Sequence, residues 1–154
     1  MAKADIRMPE KFLLAVSRLG DQTDTIIAKS IEAGGKVVLA KVQSNLRSVV
    51  GKDLKHKKRS TGELEGALGL SPVKVSRKGI HNAKVGFNEP RRKQYAAKGK
   101  RSYYTITNAM IATVLEYGKH GQPAKPFLKP AKTASRKPCQ EAMQSTLEEE
   151  VGKL

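Results

Sequence analysis

Between residues 27 and 49 the apolar side chains follow one helical line. Ile27, Ile31, Val38, Val42, Leu46 and Val49 recur at steps of four, seven, four, four and three, which places them on one side of a 3.6-residue helix. The stripe runs for about six turns and ends near Gly51. No second stripe of equal length exists, so it must be buried against a sheet or another subunit. Gly34 and Gly35 interrupt it. Each costs about 1 kcal/mol relative to Ala in a helix interior, and together they permit a kink or a close approach by another helix. Upstream, Pro9 to Leu19 predicts a short first helix with Phe12, Leu13 and Val16 on one face, stopped by Gly20. Asp21, with Asp24 three residues on, then reads as the N-cap of the long helix.

Shorter elements follow. Ser60 or Thr61 can cap a helix running to about Leu70, with Leu64 and Leu68 inward. Val73 and Val75, then Ala83, Val85 and Phe87, alternate as strands around Arg77-Lys78-Gly79, a turn that predicts a β-hairpin. Residues 88–102 hold Pro90 and Gly99 and read as a long basic loop. Tyr103 to Ile106 predicts another strand. Asn108 then caps a helix with Met110, Ile111, Val114, Leu115 and Tyr117 as its apolar side, closed by Gly118. A last helix is expected from about Pro126 to Val151, with a kink at Pro138. The expected fold is α+β: a small antiparallel β-sheet packed against a long N-terminal helix and a C-terminal helix. At 154 residues, one domain covers the chain.

Charge narrows the partner. Thirty Lys and Arg stand against fourteen Asp and Glu, a net charge of +16, and the excess is uneven. Residues 50–137 hold twenty-one bases and five acids, whereas 138–154 hold one base and four acids. Three basic clusters result. The first is Lys52, Lys55, Lys57, Lys58 and Arg59; the second is Arg91, Arg92, Lys93, Lys98, Lys100 and Arg101. The third is Lys119, Lys125, Lys129, Lys132, Arg136 and Lys137. Such a balance disfavours a metabolic enzyme and favours a polyanion, an acidic protein surface or an assembly that shares charge between subunits. The acidic run Glu148-Glu149-Glu150 is expected to pair with a basic cluster of its own or a neighbouring subunit.

Chemistry is poorly served. His56, His81 and His120 are scattered, with no paired spacing for a metal. Cys139, the single cysteine, offers no disulfide, points to a reducing compartment and has no nearby base. Glu63 and Glu65 fall on different sides of a helix, and Gly66-Ala67-Leu68-Gly69 lacks the ending of a phosphate loop. No catalytic residue and no cofactor is expected, and no apolar run is long enough for a membrane span. The chain is therefore expected to be soluble inside a cell. Tyr95, Tyr103 and Tyr104 interleave with or follow the second basic cluster, which permits phosphate pairing and base stacking. A stand-alone basic nucleic-acid-binding protein is accordingly one reading.

Val114-Leu115-Glu116-Tyr117-Gly118, followed by Ala124-Lys125-Pro126-Phe127-Leu128-Lys129-Pro130-Ala131, resembles the signature of the small tailed-phage neck and tail-completion proteins. That family shows V-E-F-G-T, a short linker and A-R-P-F-L-R-P-A at the start of its final helix. Here Tyr117 stands for Phe, Lys119 for Thr, and Lys125 and Lys129 for the two Arg. Thr61-Gly62-Glu63-Leu64 is similar to the S/T-G-x-L that precedes the family's hairpin. The resemblance implies a structural virion protein and not an enzyme. It would sit in the neck as one subunit of a ring, six-fold in the family, assembled in the host cytoplasm beside other neck and tail proteins. Glu116, Tyr117, Gly118, Pro126, Phe127, Leu128 and Pro130 would build the fold. Lys57, Lys58 and Arg59, with Arg91, Arg92, Lys93, Lys98, Lys100 and Arg101, would face double-stranded DNA in the channel or a neighbouring ring. The loop at 88–102 is longer and more basic than the family pattern requires.

Overall fold

A computed structural model describes residues 10–52, 62–89, 94–96 and 103–153, with the backbone alone described for 10–19, 21, 94–96 and 103–105. The fold is α+β, a long N-terminal helix and a C-terminal helix with a small antiparallel sheet, Leu68–Leu70 paired with Val85–Phe87, against the helices. Helix α1 runs from Glu10 to Val49 without a break, a rod of about 60 Å. The expected stop at Gly20 is therefore corrected, and Asp21 lies inside the helix. One exposed glycine weakens a helix by about 1 kcal/mol, too little to end a cooperative helix with many turns on either side.

Helix α4, Leu128–Gly152, packs antiparallel along α1. Asn45 meets Phe127 near one end, Ser30 meets Met143, and Lys29 meets Glu150 near the other. The two helices approach tightly at Gly34. A Cβ there would lie 2.5 Å from Met143 Cγ and 3.0 Å from Cys139 Sγ. One turn edge away, a Cβ on Gly35 would meet Leu70 Cδ1 at 2.7 Å. The paired glycines thus let α1 accept a helix and a strand at the same level. The buried line on α1 is accordingly Ile26, Ser30, Gly34, Val42 and Leu46, shifted by one residue from the predicted stripe at its start. Ser30 donates its hydroxyl to the Met143 carbonyl at 2.6 Å, which satisfies a polar group at a position that apolar spacing alone would miss.

The expected helix to Leu70 is shorter. Helix α2 covers Glu63–Gly66, with Gly62 at φ 72° before it and no side-chain cap, and Leu64 is buried as expected. Leu68–Leu70 is instead strand β1, paired antiparallel with β4, Val85–Phe87, in the register Leu68 to Phe87. Beyond it β2, Lys74–Val75, pairs with β3, His81–Asn82. Pro72 cannot donate to the ladder between them; Ser71 bridges the gap, its N–H donating to the Lys84 carbonyl and its hydroxyl accepting from the Lys84 N–H. The turn falls where the sequence puts it. Gly79, at φ 74°, donates to the Ser76 carbonyl and Ser76 to that of Ile80, a three-residue hairpin loop with glycine at its left-handed position.

The loop expected over 88–102 contains strand β5, Gln94–Ala96, paired with β6, Tyr103–Thr105. Helix α3 spans Asn108–Tyr117, and its cap is Thr107, which accepts from the Met110 N–H. Asn108 is buried and donates to the Asn88 carbonyl at 2.9 Å instead. The inward face of α3 carries Asn108, Ala112 and Glu116, flanked by Ile111 and Leu115. Met110 (55% exposed) and Tyr117 (77% exposed) share the outer face, seven residues apart and so on one side of the helix. That corrects their assignment to the apolar side.

Candidate functional site

The signature residues meet at one junction, where α3 ends and α4 begins. Glu116 is buried at the end of α3 and aims its carboxylate at the first turn of α4. Oε2 accepts from the N–H groups of Phe127 and Leu128 at 2.8 Å each, and Oε1 from Lys129 at 2.9 Å. Helix starts leave such amides unpartnered and carry partial positive charge. α4 has no acidic residue in its first turn and no side-chain cap of its own, so a carboxylate from the preceding helix does that work. Burial acts to raise the Glu116 pKa, but the three amides and the Lys129 ammonium outweigh it and hold the carboxyl below its ordinary value.

Phe127 closes the junction. Its side chain is fully buried against Val42, Leu46, Leu64, Ala112 and Ala131, edge-on to the Phe87 ring at a centroid distance of 6.2 Å. Its carbonyl accepts from Asn45 Nδ2 at 3.2 Å, which ties the start of α4 to α1. Leu128 packs beside it. Pro126 precedes the helix and Pro130 lies in its first turn, where no N–H is required. Gly118 ends α3 at φ 76° and ψ −179°, a region open essentially to glycine. A Cβ would also stand 2.8 Å from both the Ala124 N and the Gln122 O. Replacing Gly118 by Ala is therefore expected to cost about 3 kcal/mol, read as a lowered urea midpoint; an unchanged midpoint refutes this account of the turn.

Tyr117 takes no part in the core and is 77% exposed. It stands at the mouth of a groove of 590 Å³ between α1, the β1–β4 hairpin and α4. Ile31, Val38, Val85, Leu128 and Met143 line its wall, and Lys129 and Lys132 sit at its edge. Cys139 also lines it, half-buried and 3.9 Å from Met143 Sδ.

The first two basic clusters, from Lys57 to Arg59 and from Arg91 to Arg101, lie outside the described residues. The third is described. Lys129, Lys132, Arg136 and Lys137 are exposed along the first half of α4, with Lys137 near Glu141 at 3.8 Å. Lys125 points elsewhere, its ammonium donating to the Lys52 carbonyl. Within the chain and among the described residues, the acidic end does not pair with this third cluster. Glu150 pairs with Lys29 of α1 and with Lys153; these two ammonium groups hold its pKa down to about 2. The reason is distance, since α4 is one helix and keeps its two ends apart. Among the described residues no group of His, Cys, Asp and Glu is placed to hold a metal ion, and no helix is long and apolar enough to cross a membrane.

Sequence reasoning did not find the Asn45 and Phe87 contacts to Phe127, the Lys29–Glu150 pair or the groove. The inward side of α4 did leave a signal: Ala131 and Ser135, small buried residues four apart, lie on one side of the helix. No protein family, curated protein or solved structure matches this chain.

Proposed function

We propose that the chain is a structural virion protein of a tailed phage, not an enzyme: one subunit of a neck ring that completes the tail and joins it to the head around the DNA channel. The observation that supports this reading is the junction. Glu116, Gly118, Pro126, Phe127 and Leu128, which carry the resemblance, act together as one capped corner between two helices, and Tyr117 beside them is free of the core. The other neck and tail proteins would be its partners, and the clusters at Lys57–Arg59 and Arg91–Arg101 would meet DNA or an acidic ring. Contacts to phosphate alone suit DNA that must slide, because they carry no sequence information.

A second reading, a stand-alone basic nucleic-acid-binding protein, draws on the exposed row Lys129, Lys132 and Arg136 on α4. Mass and shape in solution without DNA separate the two. A ring, or an oligomer whose mass grows with concentration, is the expected result by light scattering and negative-stain imaging. A chain that stays monomeric and binds duplex DNA with log affinity falling linearly in log salt would establish the second reading instead. Within the neck reading, replacing Arg91, Arg92 and Lys93 with Glu is expected to impair particle assembly or DNA retention with the fold intact. Normal particle yield and infectivity from that variant would remove DNA and partner contact from this cluster.

A further inference from the structure

Helix α4 carries its charges against its own dipole. Lys129, Lys132, Arg136 and Lys137 occupy the N-terminal half, and Glu148, Glu149 and Glu150 the C-terminal end. A helix favours the opposite order, anions at its start and cations at its end. Lys132 and Glu148 are sixteen residues apart on one helix, about 24 Å, so one chain cannot bring them together. Among the described residues, Lys132 and Arg136 have no carboxylate partner. The basic end therefore lacks a complement within the chain, and the acidic end of a second copy, where Glu148 and Glu149 are exposed, can supply it.

Apolar surface follows the same division. The basic half borders the 590 Å³ groove, whose wall is apolar and whose mouth holds Tyr117 and Lys132. The acidic end exposes Leu147 (41%) and Val151 (42%), one turn apart, with Glu148 and Glu149 exposed between them. We propose that the acidic end of α4 docks in the groove of a second copy of this chain, Leu147 and Val151 against its wall and Tyr117, and Glu148 and Glu149 against Lys132 and Arg136. Glu149 already neighbours Lys153 at 2.8 Å, and that ammonium stays at the rim.

The basic edge of the groove and the acidic end are different surfaces towards opposite ends of α4, so the contact is head-to-tail and propagates to a ring or a filament. A two-fold pairing of α4 helices through their outer faces would also match the charges. It would, however, pack Arg136, Gln140, Gln144 and Glu148, all exposed, and bury no apolar core of the kind a stable interface has. The contact gives the proposed neck ring its subunit interface and in that sense rests on that reading, but its test needs only this protein.

Sedimentation at low salt is expected to show assemblies larger than a dimer by about 100 μM, dissociating as salt rises. The exposed double change Lys132→Glu with Arg136→Glu, and separately Glu148→Lys with Glu149→Lys, should each weaken association by at least about tenfold at an unchanged melting temperature. A chain carrying all four changes should recover to within about threefold of the original. Leu147→Ser should weaken association without altering its salt dependence. A wild-type chain that assembles while both charge reversals leave it unaffected overturns this contact and leaves the ring reading standing. Arrest at a dimer overturns the head-to-tail geometry. A chain that stays monomeric overturns the contact, and the ring would then have to form on another neck protein.

Discussion

Phe127→Ala is expected to lower the unfolding free energy by about 3–5 kcal/mol, the range for emptying an aromatic site in a packed core. The site cannot collapse easily. Phe127 is held by its backbone as well as its ring, with its N–H on Glu116 and its carbonyl accepting from Asn45, so the chain cannot move in to fill the space. Its neighbours come from every layer: Val42 and Leu46 on α1, Leu64 on α2, Ala112 on α3, Ala131 on α4 and Phe87 on β4. With few aromatic residues, 5% of the chain and no Trp, no second ring offers comparable burial there. Thermal unfolding should shift down by about 10 °C, at roughly 2–4 °C per kcal/mol for a domain of this size. Phe127→Leu, which keeps most of the volume, should recover a large part of the loss. Equal melting of Phe127→Ala and the original chain would show that the junction is not the centre of the core.

Glu116→Ala is expected to cost about 2–4 kcal/mol, because it strands three helix-start amides, one of them on the fully buried Phe127. A buried donor left unmade costs about 1–3 kcal/mol, and the amides of Leu128 and Lys129, only part-buried, can turn partly to water. Glu116→Gln keeps the shape and one acceptor oxygen, so it should recover part of that loss. The same group sets a pH dependence. Its folded pKa lies below the ordinary carboxylate value, so its contribution is complete above the unfolded pKa and is lost as pH falls through the folded one. Unfolding followed from pH 7 downward should show a loss of stability below about pH 4.5, and Glu116→Gln should flatten that part of the profile. A profile identical in the two proteins would contradict the carboxylate cap. Because Glu116 and Phe127 share a hydrogen bond, the two substitutions should not add; their coupling is a direct measure of how far cap and ring act together.

What was legible beforehand follows the range of the interaction. The hairpin turn at Arg77-Lys78-Gly79, the start of α4 near Pro126 and the glycine at 118 rest on local backbone preferences, and they stand where spacing and residue type place them. Glu116, expected to build the fold, does so by accepting from three amides of the next helix. Boundaries that depend on distant partners were not legible. Gly20 reads as a stop, but the helix passes through it. Leu68–Leu70 reads as the end of a helix and is a strand because β4 supplies its hydrogen bonds. Met110 and Tyr117 read as core and face outward, because the inward side of α3 is fixed by where Glu116 and Asn108 find partners.

Taken alone, the sequence determined the class of fold, the place of its hairpin turn and of its last helix, and the separation of charge along that helix, since all of these depend on neighbours within a few residues. The tertiary structure alone decided that Gly34 and Gly35 mark the meeting of a helix and a strand on α1, that Glu116 caps a helix other than its own, and that the basic and acidic ends of α4 stand too far apart to meet in one chain. Those outcomes turn on which surfaces approach one another. That choice is made by burial of the whole apolar surface at once, a quantity no local window of residues contains.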